Sequence, residues 1–244
     1  MKAVLRWVGL VLLAAIALQL FFVLRIAAMA VIDPQSTTFQ RSEAWRIASE
    51  RDRLRWRQQW VAYGQISDHL KRAVIASEDG SFANHDGVDW DAVEKAWARN
   101  TKAEEVAAKR SNLMRASVAK PPKVIGGSTI TQQLAKNLLL SGERTLLRKG
   151  QEFVLAFALE HALGKQRILE IYLNSVEWGE GVFGAEAAAQ HYFRKPASRL
   201  TPYEAARLAV MLPQPKRFEK TPGSGYLAGR TSTIVARMRD AELP

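Results

Sequence analysis

Two adjacent carboxylates that end an apolar run are the first candidates for chemistry in this sequence. Glu78 and Asp79 follow the apolar residues 74–76. Partial removal from water disfavours the charged form of a carboxyl group and raises its pKa. A carboxylate of this kind is suited to take a proton from a substrate hydroxyl as a general base. The alternative is a pair of solvated acids at a helix end, before a turn at Gly80.

A second acid lies among cations. Glu152 follows Arg144, Arg148 and Lys149, and the apolar pattern over 146–158 predicts a helix. Glu152 stands one turn after Arg148 and Lys149, so the three side chains share one edge of that helix. Such a group can stabilise charge on a phosphate-bearing substrate. The alternative is a surface ion pair, which contributes less than about 1 kcal/mol.

A Gly-Gly turn and a helix start lie between the two acids. The segment 126–137 reads GGSTITQQLAKN, and Thr129 and Gln132 have the spacing of a capping box, which predicts a helix start. Unpaired N–H groups at such a start favour an anion such as a phosphate. An ordinary capped surface helix remains the alternative. Polar side chains recur at helical spacing along one face of this segment, namely Gln132, Gln133, Lys136 and Asn137.

An apolar segment near the amino terminus indicates where these residues work. The uncharged run Trp7–Leu24 would span about 27 Å as a helix, close to the thickness of a bilayer core. Lys2 and Arg6 precede it and place the amino terminus in the cytoplasm. A cleaved signal peptide is the alternative, with a small-residue site at 28–30. In either case the chain that follows lies outside the cytoplasm.

Composition narrows the class of partner. The 244-residue chain carries a net charge of +11, which indicates an anionic partner: nucleic acid, a membrane surface or a phosphate-bearing substrate. A location outside the cytoplasm argues against nucleic acid. Cysteine is absent, which excludes a disulfide framework and a thiolate metal site. Only four histidines occur, and their scatter argues against a zinc enzyme.

The chain divides into three predicted parts. Residues 1–32 form the cytoplasmic start and the transmembrane anchor, 33–66 a membrane-proximal linker or helix, and 67–244 the main domain. We expect no peptide cross-linking activity, because no second domain follows.

Two segments are harder to interpret. Tryptophans 45, 56 and 60 alternate with arginines, a pattern that fits either a membrane interface or an amphipathic helix packed on the domain. A helix is predicted from Trp90 to Val106. The stretch 100–123 is polar, basic and Ala-rich, and we expect it to be a mobile excursion.

Five motifs follow one another in the sequence: Glu78-Asp79-x-x-Phe82-x-x-His85-x-Gly87, then Gly126 to Asn137, then Arg148-Lys149-x-x-Glu152, then 165–174, and finally 184–195. Taken together, they resemble the glycosyltransferase domain that polymerises peptidoglycan, specifically the monofunctional biosynthetic peptidoglycan transglycosylases. The resemblance covers residues 73–215 in the family's order. Two departures are a long 100–123 stretch and Arg194, where a Gly is common.

The resemblance implies a mostly α-helical, lysozyme-like fold of two lobes, preceded by one transmembrane helix. It implies that lipid II, an undecaprenyl-diphosphate disaccharide-pentapeptide, is the acceptor and that the growing glycan strand is the donor. Glu78 matches the general base and Glu152 the second catalytic acid. The implied substrate-binding residues are Asp79, Phe82, Gly87, Ser128, Thr129, Gln132, Gln133, Lys136, Asn137, Arg144, Arg148, Lys149, Tyr172 and Asn174.

The resemblance also bears on cofactors, partners and location. No cofactor is required, although a divalent metal such as magnesium assists some members of the family at the diphosphate. Cell-division and other cell-wall synthesis proteins are the candidate protein partners. The expected location is the inner membrane, crossed once, with the catalytic domain in the periplasm.

Two rival functions remain open at this point. A lysozyme-like lytic enzyme that cuts finished glycan would also use an acid in an apolar pocket. It would not need the phosphate-binding residues of 126–149. A non-catalytic membrane scaffold would need neither Glu78 nor Glu152.

Overall fold

The structure, a computed structural model, describes residues 1–50, 55–114, 126–140, 142–143 and 145–244. Within these residues the fold is mostly α-helical, as predicted. The helices are α1 Lys2–Ala28, α2 Thr38–Glu50, α3 Asp68–Glu78, α4 Trp90–Met114, α5 Ile130–Leu139, α6 Leu146–Ser175, α7 Ala185–Phe193, α8 Pro202–Met211, α9 Pro215–Lys220 and α10 Gly225–Arg237. The strands are β1 Arg57–Gln58, β2 Glu177–Gly179 and β3 Val182–Phe183.

Helix α1 is long and apolar enough to cross a membrane. It is also joined to the rest of the chain. The side-chain amides of Gln19 and Gln151 exchange two hydrogen bonds of 2.9 Å between α1 and α6. Ile26 is completely buried, and Arg167 of α6 donates to the carbonyl oxygen of Met29 at 2.8 Å. The candidate membrane helix therefore has a fixed position against α6.

The core lies between the buried faces of α3, α5, α6, α8 and α10. Helix α3 packs against α8 and α10, and α5 packs against α6. Leu70, Leu134, Leu169 and Leu208 are completely buried in this interior. Each of these leucines belongs to the buried apolar face of its own helix. The arrangement brings the end of α3 close to the start of α5.

The predicted helix start at Thr129 is confirmed, and a second helix begins in the same way. Thr129 and Gln132 form a capping box at the start of α5, and Thr201 and Glu204 form another at the start of α8. Both depend only on residues within one turn of the helix end. Gly164 interrupts α6 with φ +70°.

The expectation of a mobile excursion over 100–123 is wrong for residues 100–114, which continue α4 as a helix. The Ala-rich composition explains this, because alanine has the highest helix propensity even where few large apolar residues are present. Residues 115–123 lie outside the described part of the chain.

The segment before α3 joins a small sheet that was not predicted. Strand β1 pairs in parallel with β3, which pairs antiparallel with β2. Trp56 packs on Phe183 with ring centroids 4.5 Å apart, whereas Trp45 is 78% exposed. The tryptophans therefore do not share one helix face. Strands of two or three residues are too short to produce a visible alternation of apolar and polar residues.

Candidate active site

Glu78 is the last residue of α3 and is half-buried at its end. Its carboxylate accepts hydrogen bonds from Nε2 of Gln133 at 3.1 Å and from Oγ of Ser77 at 3.3 Å. Burial raises the pKa of Glu78 above its ordinary value, while these two donors and the charge of Arg230 act in the opposite direction. This is the environment that the sequence predicted for a general base.

Asp79, its neighbour, is turned into the protein. Its carboxylate accepts the backbone N–H of Ile130, at the start of α5, at 2.9 Å. It also accepts Nε2 of His85 at 3.0 Å, because Nδ1 of that ring accepts the N–H of Gly87 at 3.1 Å. The predicted anion at the start of α5 is thus the protein's own carboxylate and not a phosphate. With 7% of its surface exposed, Asp79 has a positioning role in this structure.

Gln133 connects the general-base candidate to the protein interior. Its Nε2 donates to Glu78, and its Oε1 accepts the hydroxyl of Tyr172 at 3.0 Å. Tyr172 is buried on α6, and burial raises the pKa of its phenol well above the usual range. The phenol therefore stays protonated and remains a donor. This contact orients the Gln133 amide so that its N–H faces Glu78.

Glu152 is held by two cations. It is 3% exposed and accepts Nη1 of Arg148 at 2.8 Å and Nζ of Lys149. Lys149 also donates to Oγ of Ser128 at 3.3 Å, which connects α6 to the residues just before α5. The predicted shared edge of acid and cations is confirmed. The carboxylate of Glu152 thus accepts hydrogen bonds from both cations at once.

A cleft of about 680 Å³ brings the polar face of α5 together with Arg148. Gln133, Lys136 and Asn137 line it from α5. Because Gln133 also contacts Glu78, the base candidate adjoins the part of the cleft that contains the cations Lys136 and Arg148. The other lining residues are Thr38, Phe39, Ser42, Glu43, Leu140, Gly142, Glu143, Val176, Glu177, Leu212, Pro213 and Pro215.

Several residues assigned to substrate binding from the resemblance are interior residues in this structure. Phe82, Thr129 and Gln132 are at most 2% exposed. Thr129 donates its hydroxyl to the carbonyl oxygen of Gly87 at 2.6 Å. Gly87 has φ +88°, and a Cβ there would lie 3.0 Å from Cγ of Glu160. These residues fix the loop after Glu78 to the start of α5.

Asn174 is also an interior residue, with no exposed surface. It exchanges two hydrogen bonds of 2.9 Å with the backbone of Val61 and donates to the carbonyl oxygen of Glu170. It therefore holds the segment before α3 against α6. Arg144, the other predicted diphosphate-binding residue beside Lys136, lies outside the described residues.

The described part of the chain contains no set of ligands for a divalent metal ion. No group of three or more His, Asp or Glu side chains there could hold an ion. The predicted assistance by magnesium stays a prediction, and no step below depends on it.

Sequence reasoning missed two charged residues near the site. Arg230 of α10 acts on Glu78 through its charge, and no local pattern connects positions so distant in the chain. Glu177 of β2 lines the cleft and is buried. A signal for Glu177 did exist, because it is an acid between Val176 and Trp178 in an apolar stretch.

Comparison with known proteins identifies the group to which this site belongs. Residues 46–239 match the family model described as Transglycosylase. The chain belongs to the transglycosylase family. The predicted family is therefore confirmed, and with it an enzyme that transfers glycosyl groups.

Relatives that match almost the whole chain support this family assignment. A protein of Burkholderia thailandensis is 51% identical over 247 residues, covering 100% of this chain and 90% of the relative. One of Paraburkholderia xenovorans is 49% identical over 243 residues, covering 98% and 94%. One of Burkholderia pseudomallei is 49% identical over 247 residues, covering 100% and 90%. Each is named biosynthetic peptidoglycan transglycosylase.

Proposed function

We propose that this transglycosylase is a peptidoglycan glycosyltransferase that polymerises lipid II into β-1,4-linked glycan strands and releases undecaprenyl diphosphate. One observation carries the proposal. Gln133 donates a hydrogen bond to Glu78 and lines the same cleft as Lys136 and Arg148. A partly desolvated carboxylate next to two cations of one cleft supports this proposal, because transfer from a sugar diphosphate requires both a base and charge stabilisation.

In the proposed reaction, Glu78 takes the proton from the 4-hydroxyl of the lipid II acceptor. The hydroxyl oxygen attacks the anomeric carbon of the growing strand with inversion, and the bond from that carbon to the diphosphate breaks. Lys136 and Arg148 stabilise the negative charge on the departing diphosphate. Glu152 keeps Arg148 and Lys149 in place at the edge of the cleft.

The reaction consumes no oxidant or reductant, and we propose that it needs no cofactor. We also propose a single-pass protein of the inner membrane, with Lys2 and Arg6 on the cytoplasmic side and the catalytic domain in the periplasm. The contacts of Gln19 and Ile26 with the domain support a retained anchor over a cleaved signal peptide. Cell-division or other cell-wall synthesis proteins are the proposed partners.

Polymerisation of purified lipid II by the full-length protein tests this function. We expect wild-type protein to form polymer, and Glu78→Gln to reduce the rate by about 10²- to 10⁴-fold, as loss of a general base does. Glu94→Gln is the matched control, because Glu94 is an exposed acid on α4. A normal rate for Glu78→Gln would contradict the assignment. Fragments released from purified cell wall, without polymer from lipid II, would indicate the lytic alternative.

A further inference from the structure

Glu177 is a buried acid of the cleft that the proposed chemistry does not use. It lies at the start of β2, is 6% exposed and lines the cleft together with Lys136 and Arg148. Its Oε1 atom is buried and has no hydrogen-bond partner among the described residues. A buried oxygen without a donor is unfavourable and rare in native proteins, so it requires an explanation.

The neighbouring charges compensate this oxygen only in part. Nζ of Lys216 is 3.4 Å from Oε1, an ion-pair distance without the geometry of a hydrogen bond. Lys216 also pairs with Glu43, which in turn pairs with Arg46 at 2.9 Å. Burial raises the pKa of Glu177 to about 7, repulsion from Glu43 acts in the same direction, and Lys216 and Arg46 oppose it.

The local charges also limit what can bind there. A phosphate would meet the carboxylate of Glu43 beside Glu177 and would be repelled. An ammonium group would compete with Lys216, which already lies 3.4 Å from the same oxygen. A hydroxyl or an amide N–H carries no net charge and supplies the missing donor. An uncharged polar group is therefore the chemistry that suits this position.

The strand keeps this position fixed. Glu177 pairs with Phe183 in the register of β2 and β3, and the indole of the adjacent Trp178 donates to the carbonyl oxygen of Leu208 at 3.0 Å. A side chain on a rigid element can select a ligand group by its place as well as by its chemistry.

We propose that Glu177 is a further substrate-binding residue, whose carboxyl group hydrogen-bonds a hydroxyl or acetamide of the sugar that occupies the cleft. This assignment rests on the proposed function, because it takes the occupant of the cleft to be the glycan or lipid II. It assigns sugar recognition to β2 and leaves the phosphates to Lys136 and Arg148.

Steady-state kinetics of lipid II polymerisation with full-length Glu177→Ala, Glu177→Gln and wild-type protein test the assignment. We expect Glu177→Ala to raise KM by about tenfold, the effect of one lost hydrogen bond to a carboxylate, with a smaller change in kcat. Glu177→Gln keeps a hydrogen-bonding side chain of the same size, and its KM should stay within about threefold of wild type. Glu180→Ala is the control, since Glu180 directly follows β2 and does not line the cleft.

Lipid II analogues that each lack one sugar hydroxyl or acetamido group separate binding from a structural role. For wild-type protein, the analogue that lacks the group bound by Glu177 should have a KM about tenfold higher than that of lipid II. For Glu177→Ala, the KM values of that analogue and of lipid II should be equal. A lowered melting temperature with unchanged preference among the analogues would overturn the assignment, as would an unchanged KM for Glu177→Ala. Absence of polymer with wild-type protein would instead overturn the proposed function, and this assignment with it.

Discussion

At the residue scale, opposing effects set the proton affinity of Glu78. Burial disfavours the carboxylate, whereas Gln133, Ser77 and the charge of Arg230 favour it, and burial has the larger effect. The carboxyl group therefore releases its proton at a higher pH than an ordinary glutamate. The hydrogen bonds from Gln133 and Ser77 nevertheless fix the orientation of the carboxyl group.

The first prediction concerns pH. Because Glu78 must be deprotonated to act as a base, kcat/KM should fall as the pH is lowered through its raised pKa, above the ordinary value of about 4.3. Rates measured from pH 4 to 9 with wild-type protein and the control Glu94→Gln should show the same acidic limb. A limb at the ordinary carboxyl value or below would contradict a desolvated base.

The same shift has a consequence for stability. Between the ordinary and the raised pKa, folded protein binds more protons at Glu78 than unfolded protein does, so this group's contribution to stability falls as pH rises through that window. Glu78→Gln removes this dependence. Its melting temperature should exceed that of wild-type protein above the window and match it below, and a variant less stable at every pH would contradict this sign.

Tyr172→Phe is the third prediction at this scale. The change removes the donor to Oε1 of Gln133, so the amide loses the contact that directs its N–H to Glu78. We expect kcat to fall by about three- to tenfold, with little change in KM. Tyr203→Phe, at an exposed tyrosine of α8, is the control. Equal kcat values for the two variants would contradict the positioning role.

The sequence was informative about residues whose environment is local. Glu78 at the end of an apolar run and Glu152 one turn after two cations could both be recognised from their neighbours in the chain. The inward orientation of Asp79 could not, because its partner at Ile130 is 51 residues away. Glu177 depends in the same way on Glu43 and Lys216, which come from different helices.

At the scale of elements, the junction of α3 and α5 determines the geometry of the site. Asp79 directly follows α3 and accepts the first N–H of α5, so its carboxylate joins the end that carries Glu78 to the helix that carries Gln133. The capping boxes of α5 and α8 could be predicted because they involve four consecutive residues. The contact between the two helices could not, since it depends on tertiary packing.

Asp79→Ala should therefore act on both fold and activity. It leaves the buried N–H of Ile130 and the ring N–H of His85 without an acceptor, and we expect a loss of stability of about 1.5–3 kcal/mol. Asp91→Ala, at an exposed acid in the first turn of α4, should cost less than about 1 kcal/mol. Denaturant unfolding of both variants measures the difference. Similar losses would show that Asp79 does not join the two helices.

At the scale of the whole molecule, the proposed membrane anchor α1 would set the depth of the domain relative to a bilayer. Gln19 lies six residues before Arg25 in the candidate span, about 9 Å along the helix, and its amide is paired with Gln151 of α6. In the membrane orientation proposed above, the first turn of α6, with Leu146 and Leu147, would lie at the level of the hydrocarbon. These two side chains are 92% and 87% exposed, which fits a surface that lipid covers.

Replacing Leu146 and Leu147 by serine should thus separate folding from function at the membrane. Because neither side chain is buried in the fold, the melting temperature in detergent should stay within about 2 °C of wild type. Polymerisation of lipid II dispersed in detergent should also be unchanged, whereas polymerisation of lipid II embedded in vesicles should fall by about tenfold, since two apolar side chains no longer enter the bilayer. Tyr203→Ser, an exposed position on α8, should leave both assays unchanged. Equal rates of the double variant and wild-type protein in vesicles would show that the start of α6 does not contact lipid.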